Sequence, residues 1–220
     1  MSIIINKDFD KITDKIIKNS LADTINKYKQ GASVLLELPL ENYFNASMIT
    51  VKYLVDNGYQ GVYVSFQRPF ENLNTLFKQN GIDTSKIFIV DSATAHIEEK
   101  YKNKTGCIKI STSIEIDEFK KIIVKSLKGI KNQKKFILID SLTTLALYKS
   151  PSEITKLSEK IMDLVKHEEF ENVVVLFNVA EYLSKKEYIK DITISADEVI
   201  HVLNNTEKYS RDVVNPNIYT

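Results

Sequence analysis

The chain has 220 residues, room for one α/β domain with a substantial core, and its 30 basic and 29 acidic residues leave a formal net charge of +1. That balance provides no long-range field to draw the protein onto nucleic acid or an anionic membrane. A single cysteine, Cys107, excludes an internal disulfide framework, and His96, His167 and His201 are too scattered for a metal-ligand motif. With no signal-peptide pattern and no run near the roughly 18 apolar residues of a membrane span, a cytoplasmic chain is expected.

In chain order, a β-prone "SIIIN" is followed by a helical region from about Lys7 to Tyr28, with an apolar stripe that Ser20 is expected to break in two. "SVLLEL" reads as a buried strand, "SMITVKYLVDNG" as a helix ended by Gly58, and "GVYVSF" as a second strand. "PFENLNTLFKQNG" reads as a helix with Pro69 in its first turn and Gly81 past its end, followed by a third strand, "KIFIVDS". Residues 93–111 carry no clear period. Thr112 and Glu115 have the spacing of a capping box for a helix through Ile116, Phe119, Ile123 and Leu127. A fourth strand, "KKFILID", precedes a helix opened by Ser150-Pro151-Ser152-Glu153, and "NVVVLFNV" and "DEVIHVL" read as the fifth and sixth strands.

Strands apolar on both faces and separated by helices imply a mostly parallel sheet with helices on both sides, a three-layer α/β arrangement. In such sheets ligands bind at the carboxyl ends of the strands, marked here by Glu37, Gln67, Arg68, Asp91, Asp140 and Asn178. One unit spanning 1–220 is expected, with an N-terminal helical extension at 1–30, a core at 31–204 and a tail at 205–220.

The run "FILID" ending in Asp140 has the form of a Walker B element, in which a strand-end carboxylate orients magnesium. With Ser141, Leu142, Thr143, Thr144 and Leu145 behind it, it resembles the Walker B of RecA-superfamily ATPases, particularly the archaeal KaiC-like branch. "QGASVLLE" from Gln30, "GVYVSF" from Gly61 and "ADEVI" from Ala196 are similar to three further strands of that branch, in the same order. The resemblance implies a RecA-like P-loop NTPase fold.

Two departures bear on activity. A member of this family is expected to carry G-x-x-x-x-G-K-[ST] after its first strand, with backbone N–H groups and a lysine around the phosphates. Here no glycine falls between Gly31 and Gly58, and the first lysine after Gly31 is Lys52. Leu38, Pro39, Glu41, Tyr43, Phe44, Asn45 and Ser47 make up a degenerate phosphate loop. The aromatic residues do not supply the φ > 0 conformations of glycine, and Glu41 would repel phosphate. Secondly, the family's catalytic glutamate pair corresponds to Gln67-Arg68, which cannot act as a general base.

The sequence therefore reads as a pseudo-ATPase with no expected cofactor, in which residual ATP or magnesium at Asp140 and Ser141 is not favoured. Its expected role is that of a regulatory, signalling or assembly partner, through another protein or through self-association. One alternative is a recombinase-like accessory binding single-stranded DNA through Lys185, Lys186 and Tyr188 in "EYLSKKEYIKD". Another is a sensor of a nucleotide or other anionic small molecule at an edge formed by Gln67, Arg68, Asp91 and Asn178.

Overall fold

A computed structural model describes residues 7–40, 43–94, 105–167 and 170–202. The opening "SIIIN", Glu41, His96 and the 205–220 tail lie outside these residues. Seven parallel strands form one sheet in the order β4-β3-β2-β5-β6-β1-β7. They are β1 (Gly31–Leu38), β2 (Gln60–Ser65), β3 (Ile87–Asp91), β4 (Cys107–Lys109), β5 (Lys135–Asp140), β6 (Val173–Ala180) and β7 (Glu198–His201). The helices are α1 (Lys7–Lys27), α2 (Tyr43–Asp56), α3 (Phe70–Gln79), α4 (Ile116–Gly129), the single turn α5 (Leu142–Leu145), α6 (Pro151–Met162) and α7 (Glu187–Ser195).

Strand alternation divides the apolar side chains between two cores. Leu35, Val62, Val64, Ile137 and Ile139 face one side, under α4, α6 and α7. Leu36, Tyr63, Phe136 and Leu138 face the other, under α1, α2 and α3. Because every central strand is covered twice, each reads as a continuous apolar run.

Several local expectations need correction. α1 runs unbroken through Ser20, whose carbonyl accepts from Thr24 Oγ1 at 2.8 Å, while Ile16, Ile17 and Leu21 are buried. α4 begins after Glu115 with no side-chain cap. The Thr112 capping box does not form, because Ser111 instead closes a tight turn with the Ser113 amide at 3.1 Å and the Ile114 amide at 3.2 Å. Pro69 occupies the N-cap of α3 instead of its first turn. The segment 93–111 contains the short edge strand β4, and half of "EYLSKKEYIKD" lies in α7, whose Ile189 and Ile192 are buried.

The correction that matters most concerns residues 38–47. Leu38 ends β1, paired with Ala180, and Tyr43 already begins α2, so Tyr43, Phe44, Asn45 and Ser47 are helical and no ten-residue loop exists. Ala46, Ser47, Met48 and Val51 are buried and extend the helical stripe backwards to this point. Ser47 Oγ donates to the Tyr43 carbonyl one turn earlier, at 3.1 Å.

The expected cap of α6 is present: Ser150 Oγ accepts from the Glu153 amide, and the Glu153 carboxylate accepts from Ser150. Those hydrogen bonds, with the Ser150 amide contributing most, hold the Glu153 carboxyl at about 2. Gly61 in β2 is required by contact: a Cβ there would lie 2.3 Å from the Phe136 carbonyl oxygen and 2.4 Å from the Phe136 ring. Gly61→Ala is expected to cost about 1–3 kcal/mol by overpacking. For a chain of this size that is roughly 2–12 °C in Tm by calorimetry, and an unchanged Tm would show that the β2–β5 contact yields freely.

Candidate functional site at the carboxyl edge

The strand ends bring Asp140, Ser65 and Asn178 together through register. Ser65 pairs with Asp140 across β2 and β5, while β6 places Asn178 between β5 and β1. Asp140 is 6 % exposed. Its Oδ2 accepts a hydrogen bond from the Tyr63 hydroxyl, and Asn178 Nδ2 lies 3.5 Å from its Oδ1. The same Nδ2 donates to Ser47 Oγ at 2.8 Å. Burial raises the carboxyl of Asp140, against the lowering effects of Tyr63, Asn178 and the Arg68 charge. Tyr63 is fully buried, edge-on to Phe77 with centroids 5.4 Å apart, and burial next to Asp140 pushes its phenol well above 10.

Tyr43 comes to the same place from α2. Burial, with Asp140 nearby, raises its hydroxyl well above the ordinary range. That hydroxyl lies by Ser141 and Thr143 but makes no well-aligned hydrogen bond among the described residues, and neither does Asn178 Oδ1. Ser141 caps α5, accepting from the Thr144 amide at 3.1 Å, and Thr143 Oγ1 accepts from the Ala180 amide at 2.7 Å. These two residues of the Walker B-like run thus tie the ends of β5 and β6 together.

The Arg68 guanidinium carbon stands 4.0 Å from the centroid of the Phe44 ring. Ser65 fixes the turn that presents it, donating to the Arg68 carbonyl at 2.8 Å and accepting from the Arg68 amide at 3.0 Å. Phe44, one of the degenerate-loop residues read from the sequence, is therefore stacked with Arg68 of the Gln67-Arg68 pair. Gln67 beside it is exposed.

Asp91 has a different position. Its Oδ2 accepts from the Phe70 amide at 2.9 Å and its Oδ1 from the Ala93 amide at 3.0 Å, with Thr94 completing the shell. It is fully buried and fastens the start of α3. Lys185 and Lys186 are exposed before α7, whereas Tyr188 is half-buried against the core and Lys190 pairs with Glu187 at 3.3 Å. Sequence reasoning missed Tyr63, a phenol inside an apolar strand whose hydroxyl needs a buried partner. It also missed three exposed apolar side chains that leave the same edge: Leu40 after β1, Leu147 after α5 and Tyr182 after β6, exposed by 62, 76 and 58 %.

Among the described residues no cluster of three His, Cys, Asp or Glu side chains is arranged to hold a metal, and no helix is long and apolar enough to cross a membrane. Residues 46–214 match the family described as "ATPase: KaiC". The chain belongs to the KaiC ATPase family. No curated protein matches it in sequence.

Two solved structures of this fold come from Pyrococcus horikoshii. One is an uncharacterized protein crystallized in complex with an unknown peptide. It has 13 % identity and a TM-score of 0.61, with 83 % of this chain covered and 82 % of that one. The other is a KaiC-like protein with 20 % identity and a TM-score of 0.51, covering 78 % of this chain and 71 % of that one. At these identities the likeness is one of fold alone, and this KaiC-family chain realises that fold with seven parallel strands.

The raised carboxyl of Asp140 makes stability depend on pH. In the unfolded chain it titrates near the ordinary 3.8, and in the fold at a higher value, so between the two the folded state holds the proton more tightly. Its contribution to stability is fullest below 3.8 and falls as pH rises through the folded value. Asp140→Asn keeps an acceptor for Tyr63 and removes that loss. The variant should gain on the parent at pH 7 relative to pH 4 in urea unfolding, and an equal difference at both pH values would refute the assignment.

Proposed function

We propose that this chain is a non-catalytic member of the KaiC family, a pseudo-ATPase that serves as a regulatory, signalling or assembly partner and offers its carboxyl edge to a protein instead of ATP. The observation that carries the reading is the Phe44–Arg68 contact. Phe44, which with Ala46 is one of two candidates for the place of the family's lysine, stacks with Arg68, which the resemblance sets at the place of a catalytic glutamate. A phosphate at this place would meet an aromatic face, and a water would find no general base in Gln67-Arg68. The four residues between Leu38 and Tyr43 are also too few for a glycine-rich cradle.

A protein-binding role draws support from Leu40, Leu147 and Tyr182, large apolar side chains left exposed around the edge. The peptide bound by one Pyrococcus neighbour is in keeping with it. The sensor alternative has less to work with, because Asp91 and Asn178 are buried in the fold and only Gln67 and Arg68 reach solvent. The DNA alternative loses much of its stacking surface with Tyr188 packed on the core.

Purified protein is expected to hydrolyse Mg·ATP only at background and to melt at the same temperature with and without it. Saturation at 100 times a dissociation constant would add roughly 2.7 kcal/mol, which a melting curve resolves easily. Hydrolysis at an ordinary enzymatic rate, abolished in Asp140→Ala, would overturn the proposal.

A further inference from the structure

A second concave site lies far from the carboxyl edge, at the opposite end of the sheet. It is a cavity of about 860 Å³ bounded by the amino ends of β2, β3 and β4 and the C-terminal half of α4. Ligand pockets range over roughly 300–1,000 Å³, so a small organic molecule fits this volume. Among the described residues, the cavity lies between α4 and the strands β3 and β4 at the sheet edge, the latter only three residues long. Ile87 and Cys107 are buried in its floor, and Phe88, Ile108, Ile122 and Ile130 are half-buried around it.

Among the described residues, Lys86, Lys125 and Lys131 line the cavity, and no aspartate or glutamate does. None of the three lysines forms a salt bridge among the described residues. The acid closest in sequence to Lys86 is Asp83, whose Oδ1 already accepts from the Ser85 amide at 3.0 Å and the Ser85 hydroxyl at 2.7 Å. Some lysines elsewhere on the surface are matched, as Lys160 is with Asp117, Lys149 with Glu153 and Lys52 with Asp56; what sets these three apart is that they gather around one apolar cavity. Three lysines around an apolar floor, with Lys86 acting on Asp83 through its charge alone, have a complement with an apolar body and an anionic head. Lysine stems lie along the first while their ammonium groups meet the second.

We propose that this cavity binds a small anionic amphiphile, of the class of medium-chain carboxylates, with its chain against Phe88, Ile108 and Ile122 and its head among Lys86, Lys125 and Lys131. Burial of the chain supplies most of the affinity, at about 25 cal/mol per Å² of apolar surface. The lysines fix polarity and orientation. This site is independent of whether the carboxyl edge retains nucleotide.

The test is calorimetric titration of the full chain with decanoate, and with decylamine as the same chain bearing the opposite charge. Decanoate is expected to bind with a Kd below about 1 mM, and decylamine at least about tenfold more weakly. The combined substitution Lys86→Gln, Lys125→Gln and Lys131→Gln, on rim positions with no salt bridge among the described residues, should weaken decanoate by about tenfold or more while leaving circular dichroism unchanged. Ile122→Glu on the half-buried wall should do the same. Absence of decanoate binding, equal binding of decylamine, or unchanged affinity in the lysine variant would each overturn the proposal. So would capture of a polyglutamate peptide in place of decanoate, since that would assign the groove to a protein.

Discussion

The stacking of Arg68 on Phe44 is the constraint around which the carboxyl edge is organised. A guanidinium over an aromatic face at a partly desolvated site is worth about 0.5–2 kcal/mol, and it also decides where both backbones must be. Phe44 reaches Arg68 because α2 begins at Tyr43, immediately after a four-residue connection from β1. Arg68 is held in place because Ser65, at the last position of β2, bonds both its amide and its carbonyl. A glycine-rich loop would separate the two elements; here they close against each other.

Beneath that contact lies a carboxylate whose environment raises its pKa. Asp140 is buried, and Tyr63, Asn178 and the Arg68 charge offset only part of the desolvation. The Asn178–Ser47–Tyr43 chain of hydrogen bonds runs from the end of β6 into the first turn of α2, so that helix is bonded to the network around the acid. The Tyr43 hydroxyl and Asn178 Oδ1 have no well-aligned partner among the described residues, and the edge turns Gln67, Leu40, Leu147 and Tyr182 to solvent. Under the proposed role, those three large apolar side chains are what a partner protein would cover.

Much of the architecture was legible in the sequence, because strands buried on both faces leave uninterrupted apolar runs and the Ser150–Glu153 box is joined by a first-turn proline, which the unformed Thr112–Glu115 pair lacks. What was not legible follows from size and distance. β4 has three residues, too few for a period, and α7 is anchored mainly by Ile189 and Ile192 in a lysine-rich stretch. The start of α2 at Tyr43 was hidden because its first turns sit where a loop is expected, and only packing of Tyr43 and Phe44 on the core reveals them. The strand ends pointed to the correct edge, yet the decisive contacts join residues remote in sequence. Tyr63 and Asp140 are 77 positions apart and meet only through the β2–β5 register. Phe44 and Arg68 meet only because α2 already begins at Tyr43.

The closure of this edge by its own side chains is tested most directly by a double-mutant cycle on Phe44→Leu and Arg68→Gln, read by urea unfolding at pH 7. A coupling energy of about 0.5–2 kcal/mol is expected if the guanidinium and ring hold the edge together. Additivity within roughly 0.3 kcal/mol would show that they stand side by side without holding each other, and would contradict this account.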